Sequence, residues 1–413
     1  MHKMKQHFRY TNESTNELFQ IASQLLNKYT YRITGTDVAL KAGEAIKEMF
    51  DISCQKSTLE PFRVHPGQLW NIGKILTSIY LISAVSYWLG IIGIYVSICI
   101  ILIGLVYGFS HFILYSSAFD KLFIGKNAHN AVGIIEPSNT VKQQIIIVGH
   151  HDSPYVFRYL LKHQSLYSLI MVLSIGSYLF GVAISIFRFL FFIVNGYTLN
   201  NYLLTTLLLV LSIAILPLFF FITKDPSPGA GDNLIGSVIT IRLSQIFSKN
   251  NPIMLNLEKT RLVFLSSDAE EVGQRGAKSY IQKHRTEIEN IQTFVLNIDS
   301  IYNYDDLTLL KRDRNGLVRL SKSQNQRCIE IAKQLGISLK LKSILFGGGG
   351  TDGSWFANNK TQVISIIGMP MDFKNKTAYY HTPFDTLDKI EPKAVKSVID
   401  LAVNYILDLD STI

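Results

Sequence analysis

The chain is poor in charge. Asp, Glu, Lys and Arg make up 17% of its 413 residues, against roughly 25% in ordinary soluble domains. Cysteine is scarce: Cys54, Cys99 and Cys328 are the whole set. So sparse and odd a number excludes a disulfide framework and fits a reducing compartment. A 48% share of apolar residues excludes a disordered chain, and 27 glycines without a triplet period exclude a collagen-like one. The N-terminal MHKMKQHFRY lacks the apolar core of a secretory signal peptide. No repeat or low-complexity tract is evident. The Gly347–Gly350 run lacks the Lys-Ser/Thr that follows in a phosphate-binding loop.

The missing charge is concentrated. From Ile75 to Phe119 there is no Asp, Glu, Lys or Arg, and from Gln164 to Thr223 the only one is Arg188. A membrane span needs about 20 apolar residues, so each block holds two. The first breaks near Leu89-Gly90. The second breaks at the polar stretch Asn195–Asn201, with spans over Leu166–Phe192 and Tyr202–Ile222. The net charge of +9 is placed to match. Arg63, Lys74, Lys121, Lys126, Arg158, Lys162 and Lys224 flank the outer ends of the two hairpins, whereas the inter-helix turns carry only Arg188, read as a snorkelling anchor. Basic flanks face the cytoplasm. The expectation is a multi-pass protein of the plasma or inner membrane, with both termini and all polar segments cytoplasmic. Sequons at Asn12, Asn359 and Asn375 are then chance matches.

The polar remainder is residues 1–69, 120–163 and 224–413. Helices are expected over Thr15–Lys28 and Val38–Phe50, the second capped by Thr36 or Asp37. Strands are expected over Thr58–Val64, Ala131–Ile135, Gln144–Val148, Arg261–Leu265, Thr293–Ile298 and Gln362–Ile367. Helical patterns over Leu234–Phe247, Arg275–His284, Ser323–Leu335 and Pro392–Leu409 separate several of them. Such alternation predicts an α/β domain with a largely parallel, buried sheet. That domain would be discontinuous, interrupted by hairpins over 70–119 and 164–223.

Ligands collect at the carboxyl ends of strands in open α/β sheets. Here those ends carry His150, His151 and Asp152 (GHHDS), Glu270 and Glu271 (AEEVG), and Asp299 (NIDS). A helix start presents Asp232 (GAGDN), and a late loop presents His381 (HTPFDT). Taken singly, each is an ordinary hydrogen-bonded residue. Two imidazoles with several carboxylates are what a pair of borderline divalent ions requires. The neighbouring Glu270 and Glu271 repel each other unless a cation lies between them or one is protonated. One as metal ligand and the other as general base would resolve that conflict.

The order GHHDS, GAGDN, AEEVGQRG, NIDS and HTPFDT resembles that of the co-catalytic di-zinc aminopeptidases, metallopeptidase family 28. RITGTDVALKAGEAIKEMF resembles that family's segment ahead of the core, and TDGSWF its Ser-Asp-His loop. The resemblance implies a three-layer zinc-exopeptidase fold, with a central, largely parallel mixed sheet, and two zinc ions per chain. His150 and Asp299 would hold one zinc, Glu271 and His381 the other, and Asp232 would bridge them. Asp152 would orient His150, and Glu270 would be the general base toward a metal-bridging hydroxide. The implied activity is that of a membrane-anchored exopeptidase cutting N-terminal peptide bonds. Ile235 stands where the family has a small Ser and Gly353 where it has His; both departures bear on substrate preference. His151 is read as structural or solvent-facing. Asp352 is read as lining the pocket or capping a turn, and Asp385 as bracing its own loop.

A carboxypeptidase or dipeptidase, a glutaminyl cyclase, and a non-catalytic receptor-like membrane protein are the alternatives. A transporter is disfavoured by the lack of intramembrane acids. The expected partners are a peptide and the lipid bilayer, not nucleic acid. Because His150 and Asp232 must reach one metal, the number of spans between them must be even.

Overall fold

The computed structural model describes residues 7–198, 201–251, 255–357, 361–371 and 379–413. The sequons at Asn359 and Asn375 and part of the polar turn before Asn201 lie outside them. Eleven strands are described: β1 (Lys56–Val64), β2 (Lys126–Ile135), β3 (Gln143–His150), β4 (Tyr155–Phe157), β5 (Ile222–Pro226), β6 (Thr260–Ser267), β7 (Gln292–Ile301), β8 (Thr308–Asp313), β9 (Val318–Arg319), β10 (Lys340–Ser343) and β11 (Thr361–Gly368). The main sheet runs β1-β2-β6-β3-β7-β11-β8-β10, with β9 beside β8. Its centre is parallel: β6, β3, β7 and β11 run together, so their carboxyl ends open on one edge.

Every residue of β3 is buried. Both of its faces are covered, as its unbroken apolar run requires. On one face pack α1 (Asn12–Lys28), α2 (Asp37–Ser53), the helix Ile235–Ile246 and the long C-terminal helix Pro392–Asp410. The other face is covered by Arg275–Lys283 and its neighbours through Ala277, Tyr280, Ile288 and Phe356. The result is the expected three-layer α/β architecture with a mixed sheet. Of the two candidate caps for α2, Thr36 does the work: its hydroxyl accepts the Ala39 N–H at 3.3 Å, a cap contributing about 1 kcal/mol.

Among the described residues, four helices are long and apolar enough to cross a membrane: Ile72–Leu89, Ile91–Ile113, Gln164–Asn195 and Tyr202–Phe219. The first pair turns at Gly90, whose φ of +64 suits glycine. The helices form one bundle with its own core, including Tyr80, Tyr87, Ile101, Tyr178, Leu208 and Ile215. Its polarity is inverted. Ser83, Ser97, Ser185 and Thr205 are buried between helices, while Ile92, Ile103, Val172, Leu203 and Ile213 face outward. Water would penalise such a surface and lipid would not.

Two expectations need correction. The fourth helix stops at Phe219, not Ile222, because the chain leaves the helix just after Pro217 and Ile222 pairs with Phe157 in the small β4–β5 ribbon. Arg188 does not snorkel. It is buried in the bundle, its guanidinium 3.5 Å over the Tyr87 ring and its Nη1 3.3 Å from Thr205 Oγ1. Partners inside the bundle hold the cation where the sequence alone suggested an interface.

Candidate metal centre

Three adjacent parallel strands deliver the central groups. β3 ends on His150, which lies opposite Ser267 of β6. Glu270 and Glu271 come three and four residues beyond β6, and β7 carries Asp299. Asp232 comes from the turn before the helix Ile235–Ile246, and its peptide bond to Asn233 is cis. His381 comes from the loop after β11. Ala269, Ser300 and His381 all hold positive φ, at 63°, 50° and 52°. Such conformations cost energy in non-glycine residues and cluster at functional sites.

The geometry centres on Asp232. Its Oδ1 lies 3.4 Å from His150 Nε2, and its Oδ2 lies 3.1 Å from His381 Nε2. On the first side, Asp299 Oδ1 stands 3.9 Å and Glu270 Oε2 4.0 Å from the His150 nitrogen. On the second, Glu271 Oε2 is 3.1 Å from His381 Nε2. The donor sets His150–Asp232–Asp299 and Asp232–Glu271–His381 thus share one carboxylate. Donors at about 2.0–2.1 Å from a tetrahedral zinc stand about 3.3 Å apart, the scale seen around Asp232. Among the described residues, His150 Nε2, His381 Nε2, Asp232 Oδ2 and Glu271 Oε1 are buried without a hydrogen bond. Buried polar atoms without partners carry a large penalty. The donor set therefore fits two divalent ions.

Electrostatics agree. Burial would lower the His150 imidazole, but Asp152, Asp232, Asp299 and Glu270 hold it well above its usual value. His381 is likewise raised, to about 9, by Glu271 and Asp232 against the effect of burial. Burial, reinforced by neighbouring carboxylates, pushes Glu271 to about 8, Asp299 and Asp352 to about 7, and Glu270 well above the carboxylate range. Asp232 alone of the central acids is pulled down, because both imidazoles face it and overcome its burial. Crowded acids of this kind are relieved by cations.

Around the centre lies a set of braces. Asp152 is fully buried. Its Oδ1 faces His150 Nδ1 at 3.3 Å and accepts the Glu270 N–H, while its Oδ2 accepts the Glu271 N–H and the Thr34 hydroxyl. His150 Nδ1 lies equally near the Asp152 main-chain oxygen, at 3.3 Å, so this one residue aims the imidazole while its carboxylate fixes both glutamates. Asp385 braces more than its own loop: it accepts the N–H groups of Gly231 and Asp232 at 2.7 and 3.2 Å. Asp352 accepts the Ser267 hydroxyl, and its other oxygen is buried without a partner, so it lines the site. His151 is buried, not solvent-facing, with Nδ1 3.0 Å from Ser266 Oγ. Ile235 is a core residue. At Gly353 a Cβ would come within 2.4 Å of Ser365 Oγ, so no larger side chain fits without movement.

Sequence reasoning missed three contributors. Arg32 is fully buried and donates to the carbonyls of His151 and Gly229, tying the His150 loop to the Asp232 loop. Its place in the RITGTD segment was the available signal. Phe157 packs 4.1 Å from the His381 ring, which also stacks on Tyr380; these rings orient an imidazole whose Nδ1 has no hydrogen bond among the described residues.

Fold and site together define a metal-dependent hydrolase. Residues 218–406 match the model of peptidase family M28. That domain, a little under half of the chain, makes the protein a metallopeptidase. Among solved structures it is similar to BSAP, a zinc aminopeptidase from Bacillus subtilis, at 12% identity and a TM-score of 0.55, covering 96% of this chain and 94% of that one. It is similar to the aminopeptidase from Aneurinibacillus sp. strain AM-1 at 14% identity and a TM-score of 0.53, covering 95% and 93%. A glutaminyl cyclase from Bacteroides thetaiotaomicron aligns at 11% identity and a TM-score of 0.56, covering 98% and 99%. No curated protein sequence matches the chain.

Proposed function

We propose that the protein is a membrane-anchored zinc aminopeptidase with two zinc ions per chain. One observation carries the reading: Asp232 presents one oxygen to His150 and the other to His381, with Asp299 and Glu271 completing the two sets. His150 and Asp299 would hold one ion, Glu271 and His381 the other, and Asp232 both. Zinc bound there supplies acidification of coordinated water toward neutrality and polarisation of a carbonyl. Glu270 lies beside this centre with its carboxyl raised well above the usual range, suited to accept a proton from water and return it to the leaving amine. Asp152 keeps His150 in the tautomer that leaves Nε2 free. The catalytic residues are then Glu270, which moves the proton, and Asp152, which holds the imidazole.

The membrane reading rests on the inverted polarity of the four-helix bundle and on the basic residues at its outer ends. The basic flanks support a cytoplasmic location for both termini and for the peptidase domain, taken as residues 1–69, 120–163 and 224–413. Hairpins at 70–119 and 164–223 hold the site at the lipid surface. The test is to purify the protein in detergent, measure zinc per chain, and assay amino-acyl, N-blocked and N-terminal glutaminyl peptides with and without chelator. Less than one zinc per chain with no chelator-sensitive hydrolysis sinks the enzyme reading. Cyclisation of the glutaminyl peptide without hydrolysis of the others replaces it with a cyclase.

A further inference from the structure

The first hairpin does not leave the bundle freely. Its exit segment lies on the peptidase domain, held through main-chain carbonyls. Asn315 Nδ2 donates to Phe112 O and Ile113 O at 2.8 and 3.1 Å. Arg275 donates to Tyr115 O at 2.6 Å and Ser116 O at 2.7 Å, and pairs with Asp120 at 3.0 Å. Both clamping residues sit next to the site. Arg275 follows Glu270 and Glu271 in the same loop, and its N–H bonds Ala269 O at 2.8 Å. Asn315 is also bonded to the main chain of Gly349.

Between these clamps stands Tyr115, with φ of +53, a conformation that a residue other than glycine seldom keeps. The clamps act on its main chain, so the ring is not what holds the segment. Its hydroxyl lies beside the Gly-rich loop, 3.8 Å from where a Cβ on Gly349 would stand. It makes no hydrogen bond among the described residues. Burial raises the phenol, and the charges of Glu270, Asp313 and Glu271 raise it further. Tyr115 is only half-buried, so its hydroxyl is open to a ligand. A ligand between Glu270 and the Gly347–Gly350 loop would supply it with a partner.

We infer that Tyr115 is a substrate-contacting residue: its phenol donates a hydrogen bond to a backbone carbonyl of the peptide bound beside Glu270. The first membrane hairpin is then part of the peptidase site as well as an anchor. This inference rests on the peptidase reading.

The experiment compares wild-type protein with Tyr115→Phe, which keeps the ring and removes only the hydroxyl, on a dipeptide and a longer amino-acyl peptide in the same detergent. Loss of one neutral hydrogen bond to substrate is expected to lower kcat/KM about tenfold. A contact kept from ground state to transition state places that loss on KM. Zinc per chain and melting temperature are expected to stay at wild-type values, which separates the contact from a folding defect. If the wild type hydrolyses peptides and Tyr115→Phe matches it in kcat and KM, the inference fails and the peptidase reading stands. The inference also fails if the loss comes with less zinc or a lower melting temperature, because Tyr115 is then structural. If the wild type hydrolyses nothing, both fail.

Discussion

Asp152→Asn isolates the bracing of the centre from the centre itself, since it preserves volume and removes one acceptor and one charge. In the native site both carboxylate oxygens receive donors. Oδ1 takes the Glu270 N–H and faces His150 Nδ1, and Oδ2 takes the Glu271 N–H and the Thr34 hydroxyl. An asparagine offers one oxygen and one NH2. Placing NH2 at the Oδ1 position sets two donors against it. Placing NH2 at the Oδ2 position is milder, because the Thr34 hydroxyl can turn and accept, but the Glu271 N–H is still left without a partner. One orphaned buried donor costs about 1–3 kcal/mol, and the surviving bonds lose their charge assistance. For a domain of this size each kcal/mol lowers the melting temperature by roughly 2–4 °C, so a fall of about 2–12 °C is expected. Zinc should bind about 10–100-fold more weakly, the usual consequence of removing the carboxylate behind a metal-binding histidine. The assay is a thiol-reactive dye melt, for which fully buried Cys328 is a reporter, alongside zinc titration against a competing chelator. Wild-type melting and wild-type zinc affinity in Asp152→Asn would refute this account of the brace.

Glu270→Gln should keep zinc and lose at least about 100-fold in kcat, because proton transfer by a positioned base contributes 10²–10⁴-fold; Asp232→Ala should lose zinc along with activity, read by metal analysis of the purified proteins. The metal-free protein should become less stable as pH rises from 5.5 to 8.5. Glu271 (about 8), Asp299 and Asp385 (about 7) keep protons in the folded state that unfolded carboxylates release near 4, so the folded state holds more protons across this window and stability falls with pH. His381, raised to about 9, adds to the same trend: its contribution is complete below its unfolded value of about 6.5 and is lost as pH rises through 9. Zinc should reverse the trend, since its ligands must be deprotonated. Melting with and without chelator at the two pH values checks this, and a metal-free melting temperature that climbs across the window contradicts it. For topology, a cysteine at exposed Asn12 should resist a membrane-impermeant thiol reagent in intact cells and react after lysis; labelling from outside overturns the cytoplasmic orientation.

Much of the molecule was legible in one dimension because its signals are local. Charge-free runs mark long apolar helices whatever surrounds them, and the expected break at Leu89-Gly90 coincides with the Gly90 turn. The buried run at 143–150 reads as a strand because both faces of a central parallel strand are covered. By contrast β8, β10 and the β4–β5 ribbon passed unnoticed. They are short or lie toward the sheet edge, and their pairing partners are remote in the chain, so no periodicity announces them.

The candidate site divides in the same way. The motif order by itself placed His150, Asp232, Glu270, Glu271, Asp299 and His381 at strand ends and loops opening on one edge, since parallel strands must align their carboxyl ends. Only the tertiary structure decided which oxygen of Asp232 faces which imidazole, and that Asp152 spans His150 and both glutamates while Asp385 reaches across to the Asp232 turn. It alone placed Arg188 inside the bundle and Tyr115 between Arg275 and the Gly-rich loop. Residue types and local pattern determine what a segment can become, because propensity and hydrophobic burial act over a few residues. Contacts between positions separated by more than a hundred residues, such as Asp152 with Glu271 or Arg275 with Tyr115, exist only after the chain has closed, when each buried donor takes the acceptor the fold has brought to it.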